Sequence, residues 1–420
     1  MNCLHFVQGY DPVLGGSVRH AQMISGGLAE RGHGVRVWTT TAAAGAAFWD
    51  PRAATACAGE FEVDGVRIRR FPLRHLPGHW RAARLLGMLW PPARPRWEPP
   101  SPWAPELWRQ VRRPPAADVV HATCFPFDGV VWAAREAARR LDVPLVVTPL
   151  IHLGADPHHR ARFYERPWQR QCLREAQAVL VLSEAEGRHL CSLGVEPGAV
   201  VLTEPALDLA QVPPADPGRF RVQHGLTGPL VVHVANLSRA KGTLDLVEAG
   251  RILGARCGAE APTIVLIGQA DEEVQAALGA RRTEDRRCIC LGRVDEQTKH
   301  DALAAATVFC LPSAADAFGI AFLEAWAHRT PVIGAEAGGI PDLLRHGQAG
   351  RLAPFGAPEA LAEVIEGLLT DEAGRRALGE VGHDLLVSRY NSPRLLDRVE
   401  AVYEAVVRGE SPAEAVRERL

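Results

Sequence analysis

Asp316 and Glu324 stand eight positions apart around a Phe-Gly turn in the segment PSAADAFGIAFLEAWAHRTPVIGAEAGGIPD, residues 312–342. One carboxylate falls in the turn and the other about one and a half turns into a helix, so the pair can hold an elongated polar ligand at two points. Neither lies on an expected core face. The apolar run 307–311 reads as a buried strand, 319–328 as a helix, and 331–334 as the next strand, followed by a Gly-Gly turn. In open α/β sheets this order presents a helix N-terminus to a ligand lying beyond the strand ends.

Three further loops are expected to face the same ligand. Gly15-Gly16 follows the first strand, where glycines let backbone approach a ligand and the next helix start favours an anion. NLSRAKG, residues 236–242, carries Arg239 and Lys241, which suit phosphate oxygens, one through a planar fork and one as a point charge. LGRVD, residues 291–295, offers backbone around Arg293 and Val294 to a nucleobase edge. His121 and His152 each end an apolar strand of the first half; a capped strand-end histidine and a cleft residue are both open readings for them. Other chemistries lack their residues. The chain has no G-x-G-x-x-G, no phosphate-binding G-x-x-x-x-G-K-[ST], no D-x-D and no zinc-spaced His/Cys cluster, so no metal is implied.

The elements that must position these residues alternate. Strands are expected at 3–7, 35–39, 119–121, 145–148, 179–182 and 200–202, with a helix at 17–31 and a hairpin over 61–71 turning at Asp64-Gly65. Prolines and glycine between 203 and 228 read as a linker. The series restarts at 230–234, 263–267, 288–291, 307–311, 331–334 and 350–352, and helices from about Pro358, Glu372 and Pro393 close the chain. Such alternation means parallel sheets covered on both faces, here two doubly wound domains across a cleft.

Length and composition agree: 420 residues suit two domains, and 47% hydrophobic with 23% charged residues describes a globular chain. No apolar run reaches the roughly 18 residues that span a bilayer, and residues 1–40 lack a signal-peptide pattern. Nine scattered cysteines without C-x-x-C point to a reducing cytoplasm. Only two lysines, Lys241 and Lys299, stand among 47 basic residues. The net charge of −2 divides into +5 over residues 1–205 and −7 over the remainder. Residues 67–113 hold 11 arginines, two acids and five of the ten tryptophans, which suits an anionic membrane surface or an extended acceptor as well as a locally packed, proline-rich subdomain. No nucleic-acid partner is expected, since no binding module accompanies the basic patch.

With these motifs the chain resembles the retaining, nucleotide-sugar-dependent glycosyltransferases of the GT-B fold, family four, over nearly its whole length. The resemblance is strongest over residues 230–354 and weakest over 71–115. It implies a donor-binding domain at 206–388, an acceptor-binding domain at 1–205, and a C-terminal helix at 389–420 crossing back to the first domain. Glu324 would hold the donor ribose and Asp316 the transferred sugar. Ala317, Phe318, Gly319 and Ile320 would meet sugar and diphosphate, Arg239 and Lys241 the diphosphate, and Gly15-Gly16 would lie beneath it. His152 would sit beside the reacting sugar. The partners implied are a nucleotide-sugar donor and a hydroxyl-bearing acceptor, with no metal or other cofactor. Four departures stand out: Asp316 in place of Glu, which draws any sugar contact back by about 1.5 Å, Asn236 in place of Arg, Glu204-Pro205-Ala206 in place of Pro-Asn-Gly, and His328 before the 331–334 strand. They keep two other readings open, a non-catalytic scaffold and a nucleotide-sugar epimerase of the same fold.

Overall fold

A computed structural model describes the whole chain except residues 12–14, 44, 49, 76–101, 126, 155–156, 282–286, 315, 317–318 and 420. Ala317, Phe318 and the middle of the basic, tryptophan-rich segment therefore lie outside the described residues.

Valine- and isoleucine-rich runs of four to seven residues favour strands, and runs without polar alternation must be covered on both faces. The first sheet contains β1 (Asn2–Val7), β2 (Gly34–Thr40), β3 (Gly59–Val63), β4 (Val66–Phe71), β5 (Val119–Thr123), β6 (Leu145–Thr148), β7 (Ala178–Val181) and β8 (Val200–Leu202) in the order β3-β4-β2-β1-β5-β6-β7-β8. The second contains β9 (Leu230–Val234), β10 (Thr263–Ile267), β11 (Cys288–Gly292), β12 (Val308–Leu311), β13 (Val332–Ala335) and β14 (Arg351–Ala353) in the order β11-β10-β9-β12-β13-β14. Pairing is parallel apart from the β3–β4 hairpin. Every residue of β5 and β12 is buried.

Both orders reverse direction at one place. β1 lies between β2 and β5, and β9 lies between β10 and β12. Loops leaving neighbouring strands there go to opposite faces and open a crevice. The loops after β1, β9 and β12 are the ones that carry Gly15-Gly16, Lys241 and Asp316.

The stretch read as a linker contains a helix, Pro217–His224. Its prolines are a helix start rather than a break: Asp216 caps the amides of Gly218 and Arg219, Pro217 occupies the first turn, and Gly225 ends the helix at φ 62°. The connection at Glu204 is tied down by charge, since Arg398 Nη1 lies 2.7 Å from its carboxylate and Arg389 also binds it.

The last helices leave the second domain and pack on the first. In Ser392–Arg408, Leu395, Leu396, Val399 and Tyr403 join the core beneath β1 and the helix Gly16–Glu30. Arg31 Nη1 meets Glu400 at 2.6 Å and Asp397 at 2.8 Å. The fully buried Tyr403 hydroxyl bonds His121 Nδ1 (2.6 Å) and His5 Nε2 (3.0 Å), while His121 Nε2 bonds Thr148 Oγ1 (2.7 Å). His121 is thus a core residue inside β5, not a cleft residue at a strand end.

Two outcomes are expected. Tyr403→Phe removes one hydroxyl from two buried imidazoles and should cost about 1–3 kcal/mol in denaturant unfolding. Burial holds His5 and His20 down at about 4 and His121 well below its ordinary value. Histidines whose folded pKa is depressed contribute stability that is complete above about pH 6.5 and is lost as pH falls toward 4. Denaturant midpoints measured from pH 7 to pH 4 should fall across that window, and a flat profile would contradict the neutral cluster.

Candidate functional site

The turns that carry Lys241 and Asp316 touch through backbone. Ala314 N donates to the Ala240 carbonyl at 2.9 Å. Gly242, at φ 68°, lies so close to Pro312 that an added Cβ would stand 2.1 Å from its carbonyl oxygen. This approach, open only to glycine, sets Lys241 Nζ 2.8 Å from Asp316 Oδ2. Burial alone would raise the Asp316 carboxyl. The Lys241 charge, then His152 and Ser313, outweigh it and hold the group below its ordinary value.

The first domain closes over this pair. Gly154 meets the Asp316 loop so tightly that a Cβ there would lie 1.5 Å from the Ala314 carbonyl oxygen. Two residues earlier, His152 stacks on Tyr164 with ring centroids 5.5 Å apart and is near enough to help lower the Asp316 carboxyl. Gly15 caps the helix Gly16–Glu30 with open space where a Cβ would stand, and a Cβ on Gly16 would lie 3.8 Å from Ile320 Cδ1. Ile320 opens the helix Ile320–Ala327 behind Gly319 (φ 62°) and packs on Cys124, Leu150 and Leu182, residues at three strand ends of the first domain. Two helix N-termini therefore converge on one place, which suits an anion.

Glu324 departs from expectation because it is buried, at 4% exposure. A buried carboxylate needs partners, and it has two. Lys299 Nζ donates to Glu324 Oε1 at 2.7 Å, and Arg19 Nη1 donates to the same oxygen at 3.0 Å. Both cations also bind Glu296, Lys299 at 2.8 Å and Arg19 at 2.5 Å. Arg19 comes from the first domain and the other three from the second, so the network joins the domains. Sequence reasoning missed Arg19 and Lys299. The signal was the lysine count: each of the two lysines binds one acid of the Asp316–Glu324 pair.

The remaining expected residues are placed differently. Arg239 is exposed and bonds Glu273 through Nε (2.8 Å) and Nη2 (2.5 Å) instead of joining Lys241 at Asp316. Arg293 is exposed, and Val294 is half-buried against the second domain's core. Donor atoms of Glu296, His300 and Glu324 lie within 4.8 Å of one another, a grouping that could hold a metal ion. The Lys299 ammonium already bridges its two carboxylates. Burial, then the Lys299 charge, lowers His300 to about 4, and its Nδ1 lies 2.8 Å from His328 Nε2. A cavity of about 450 Å³ adjoins the network between the domains, lined by Tyr10, Arg19, Glu296, His300 and Glu324 among others. That volume is in the range of small-molecule sites.

Two facing Rossmann-like domains, with paired acids and cations at the strand ends between them, define a GT-B architecture. Family models support the assignment: residues 15–206 match the "Glycosyl transferase 4-like domain" and residues 228–371 match "Glycosyl transferases group 1". The chain belongs to the GT-B glycosyltransferases. It is 28% identical to N-acetyl-alpha-D-glucosaminyl L-malate synthase of Bacillus anthracis over 43% of this chain, which spans only 46% of that relative's length. It is 27% identical to alpha-maltose-1-phosphate synthase of Mycobacterium tuberculosis over 69% of this chain and 80% of that one. Among solved structures, Anabaena HepE in complex with UDP and glucose superposes with a TM-score of 0.70 at 20% identity, covering 95% of this chain and 98% of that one.

The charge network yields a graded outcome. Lys299→Ala leaves a buried carboxylate without its nearest cation and should cost about 3–5 kcal/mol. Arg19 is 32% exposed, so Arg19→Ala should cost under about 1 kcal/mol. Guanidinium unfolding of both variants checks the order; equal losses would remove Lys299 as the main partner.

Proposed function

We propose that this enzyme moves a hexosyl group from a nucleoside-diphosphate sugar to a hydroxyl acceptor with retention of anomeric configuration. The observation that carries the reading is the Lys241–Asp316 ion pair, three residues before the Gly319 helix start, whose Ile320 meets Gly16 of the first domain. The UDP and glucose held by the similar Anabaena structure make UDP-glucose the first donor to test.

The departing group is a nucleoside diphosphate, so catalysis asks mainly for stabilisation of developing negative charge. Lys241 is positioned to supply it. With a donor in the cleft, Lys241 can exchange part of its Asp316 contact for a phosphate oxygen, and a charge-assisted hydrogen bond is worth about 1.5–3 kcal/mol. The helix starts at Gly16 and Gly319 add partial positive charge of about +0.5 each. Freed from Lys241, Asp316 can accept from hydroxyls of the transferred sugar. Glu324 offers its carboxylate to the ribose once Arg19 yields. The acceptor hydroxyl attacks from the face the leaving group occupies and passes its proton to the departing phosphate oxygen. His152 borders that face. Arg239, exposed and paired with Glu273, joins the diphosphate only by exchanging that partner.

The Lys299 ammonium between Glu296 and Glu324 favours a metal-independent reaction, since it stands where a divalent ion would need those oxygens. Among the described residues no helix is long and apolar enough to cross a membrane. An acceptor at an anionic membrane surface is supported by the exposed Arg67, Arg109, Arg112 and Arg113, and binding to anionic vesicles at low salt tests it.

Lys241→Ala and Glu324→Ala should each lower sugar transfer at least about tenfold, or about 1.4 kcal/mol of barrier. Transfer from UDP-glucose and related donors, followed by NMR of the product anomer, measures both rate and stereochemistry. Undiminished transfer in both variants would remove this site assignment, an inverted product would remove retention, and loss of activity in a chelator would remove metal independence.

A further inference from the structure

The helix Glu184–Ser192 carries a buried acid that the mechanism above does not use. Glu186 is 2% exposed, and its two oxygens accept backbone amides from two different loops. Ile151 N donates to Oε1 at 2.8 Å and Leu182 N donates to Oε2 at 3.0 Å. Ile151 immediately precedes His152, and Leu182 follows β7. Between β6 and Ile151 the chain passes through Leu150 at φ 56°, a left-handed conformation that a leucine adopts only under constraint. The same helix is fixed from both domains: Ser183 accepts from Glu186 N at 3.1 Å, and Asp342 of the second domain accepts from Ala185 N at 2.8 Å.

We infer that Glu186 is the positioning residue of the His152 loop: its carboxylate grips the Ile151 and Leu182 amides and so fixes where His152 stands beside the reacting sugar. The inference rests on the transferase reading above. The acid serves geometry at a thermodynamic cost. Burial raises Glu186 to about 7 despite its two amide bonds. Ionised, Glu186 accepts through both oxygens at full strength; in Glu186→Gln an amide NH2 stands against one of the two backbone donors, and one of the two loops is released. Other titratable groups stand near Glu186. Burial raises Cys124 to about 12 and raises Tyr164 above its ordinary value, His189 on the same helix bonds Glu165 at 2.9 Å, and Asp342 is engaged by Ala185.

The test is Glu186→Gln, with Glu186→Asp as a second variant should the first fail to fold. Transfer kcat should fall at least about tenfold while the donor KM and calorimetric UDP affinity stay within about twofold, because the donor is held by the other domain. A group whose folded pKa is raised lends stability below its unfolded value near 4.5 that is lost as pH rises through about 7. The stability of the parent relative to Glu186→Gln should therefore decline from about pH 5 to about pH 8. Amide exchange at Ile151 or Leu182 should accelerate in the variant. Unchanged kcat, or a joint collapse of stability and UDP binding at all pH values, would overturn the inference. Should the parent enzyme transfer no sugar from any donor, the transferase reading fails, and amide exchange alone decides Glu186: protection kept at both positions in Glu186→Gln overturns its role, and protection lost supports it.

Discussion

Glu324 is a carboxylate removed from water, and much of the interdomain arrangement follows from what that requires. An uncompensated buried charge costs several kcal/mol, so the Ile320–Ala327 helix can pack only where a cation reaches it. Lys299 supplies one from the neighbouring helix at 2.7 Å, and Arg19 supplies a second from the other domain at 3.0 Å. The acid suited to a ribose is therefore also one by which the second domain senses the first. A ligand that donates hydrogen bonds to Glu324 would compete with Arg19, so the proposed donor binding and the domain contact would draw on the same oxygen.

Asp316 repeats the arrangement with Lys241. Two acids and two lysines thus form two pairs along one cleft, one pair buried and one largely buried. The pairs differ in surroundings. Lys241–Asp316 is less buried, stands three residues before the Gly319 helix start, and can release its cation to an anion. Lys299–Glu324 is embedded with Glu296 and holds its cation in place.

The frame that brings these groups together depends on the chain's end. Tyr403 inserts its hydroxyl between His5 and His121, and Arg31 holds Glu400, so the last helices clamp the first domain after the chain has built the second. Together with Glu204, bound by Arg389 and Arg398, this makes the connection between domains a double strand of covalent chain with ionic ties. On the crevice side Arg19, Ile320 and Gly154 make further contacts between the domains.

Much of this was legible in the residues. Parallel strands announce themselves as short β-branched runs, because each is buried on both faces whatever its partners are; β6, β8, β9 and β10 begin and end where their apolar runs do. The Asp316–Glu324 spacing and the glycines around it were readable for the same local reason. The helix Pro217–His224 was not, since its opening prolines carry the same local signal as a linker. Nor could the sequence decide which cation meets which acid. Lys241 and Asp316 are 75 positions apart, and Arg19 and Glu324 are 305 apart; only the reversal of strand order at β1 and β9 brings such loops together. Burial of Glu324, the diversion of Arg239 to Glu273 and the removal of His121 from the cleft were likewise settled by packing. Composition and periodicity report how each segment meets water, whereas ion pairs across a cleft depend on where distant strands end, and that is a property of the folded sheet alone.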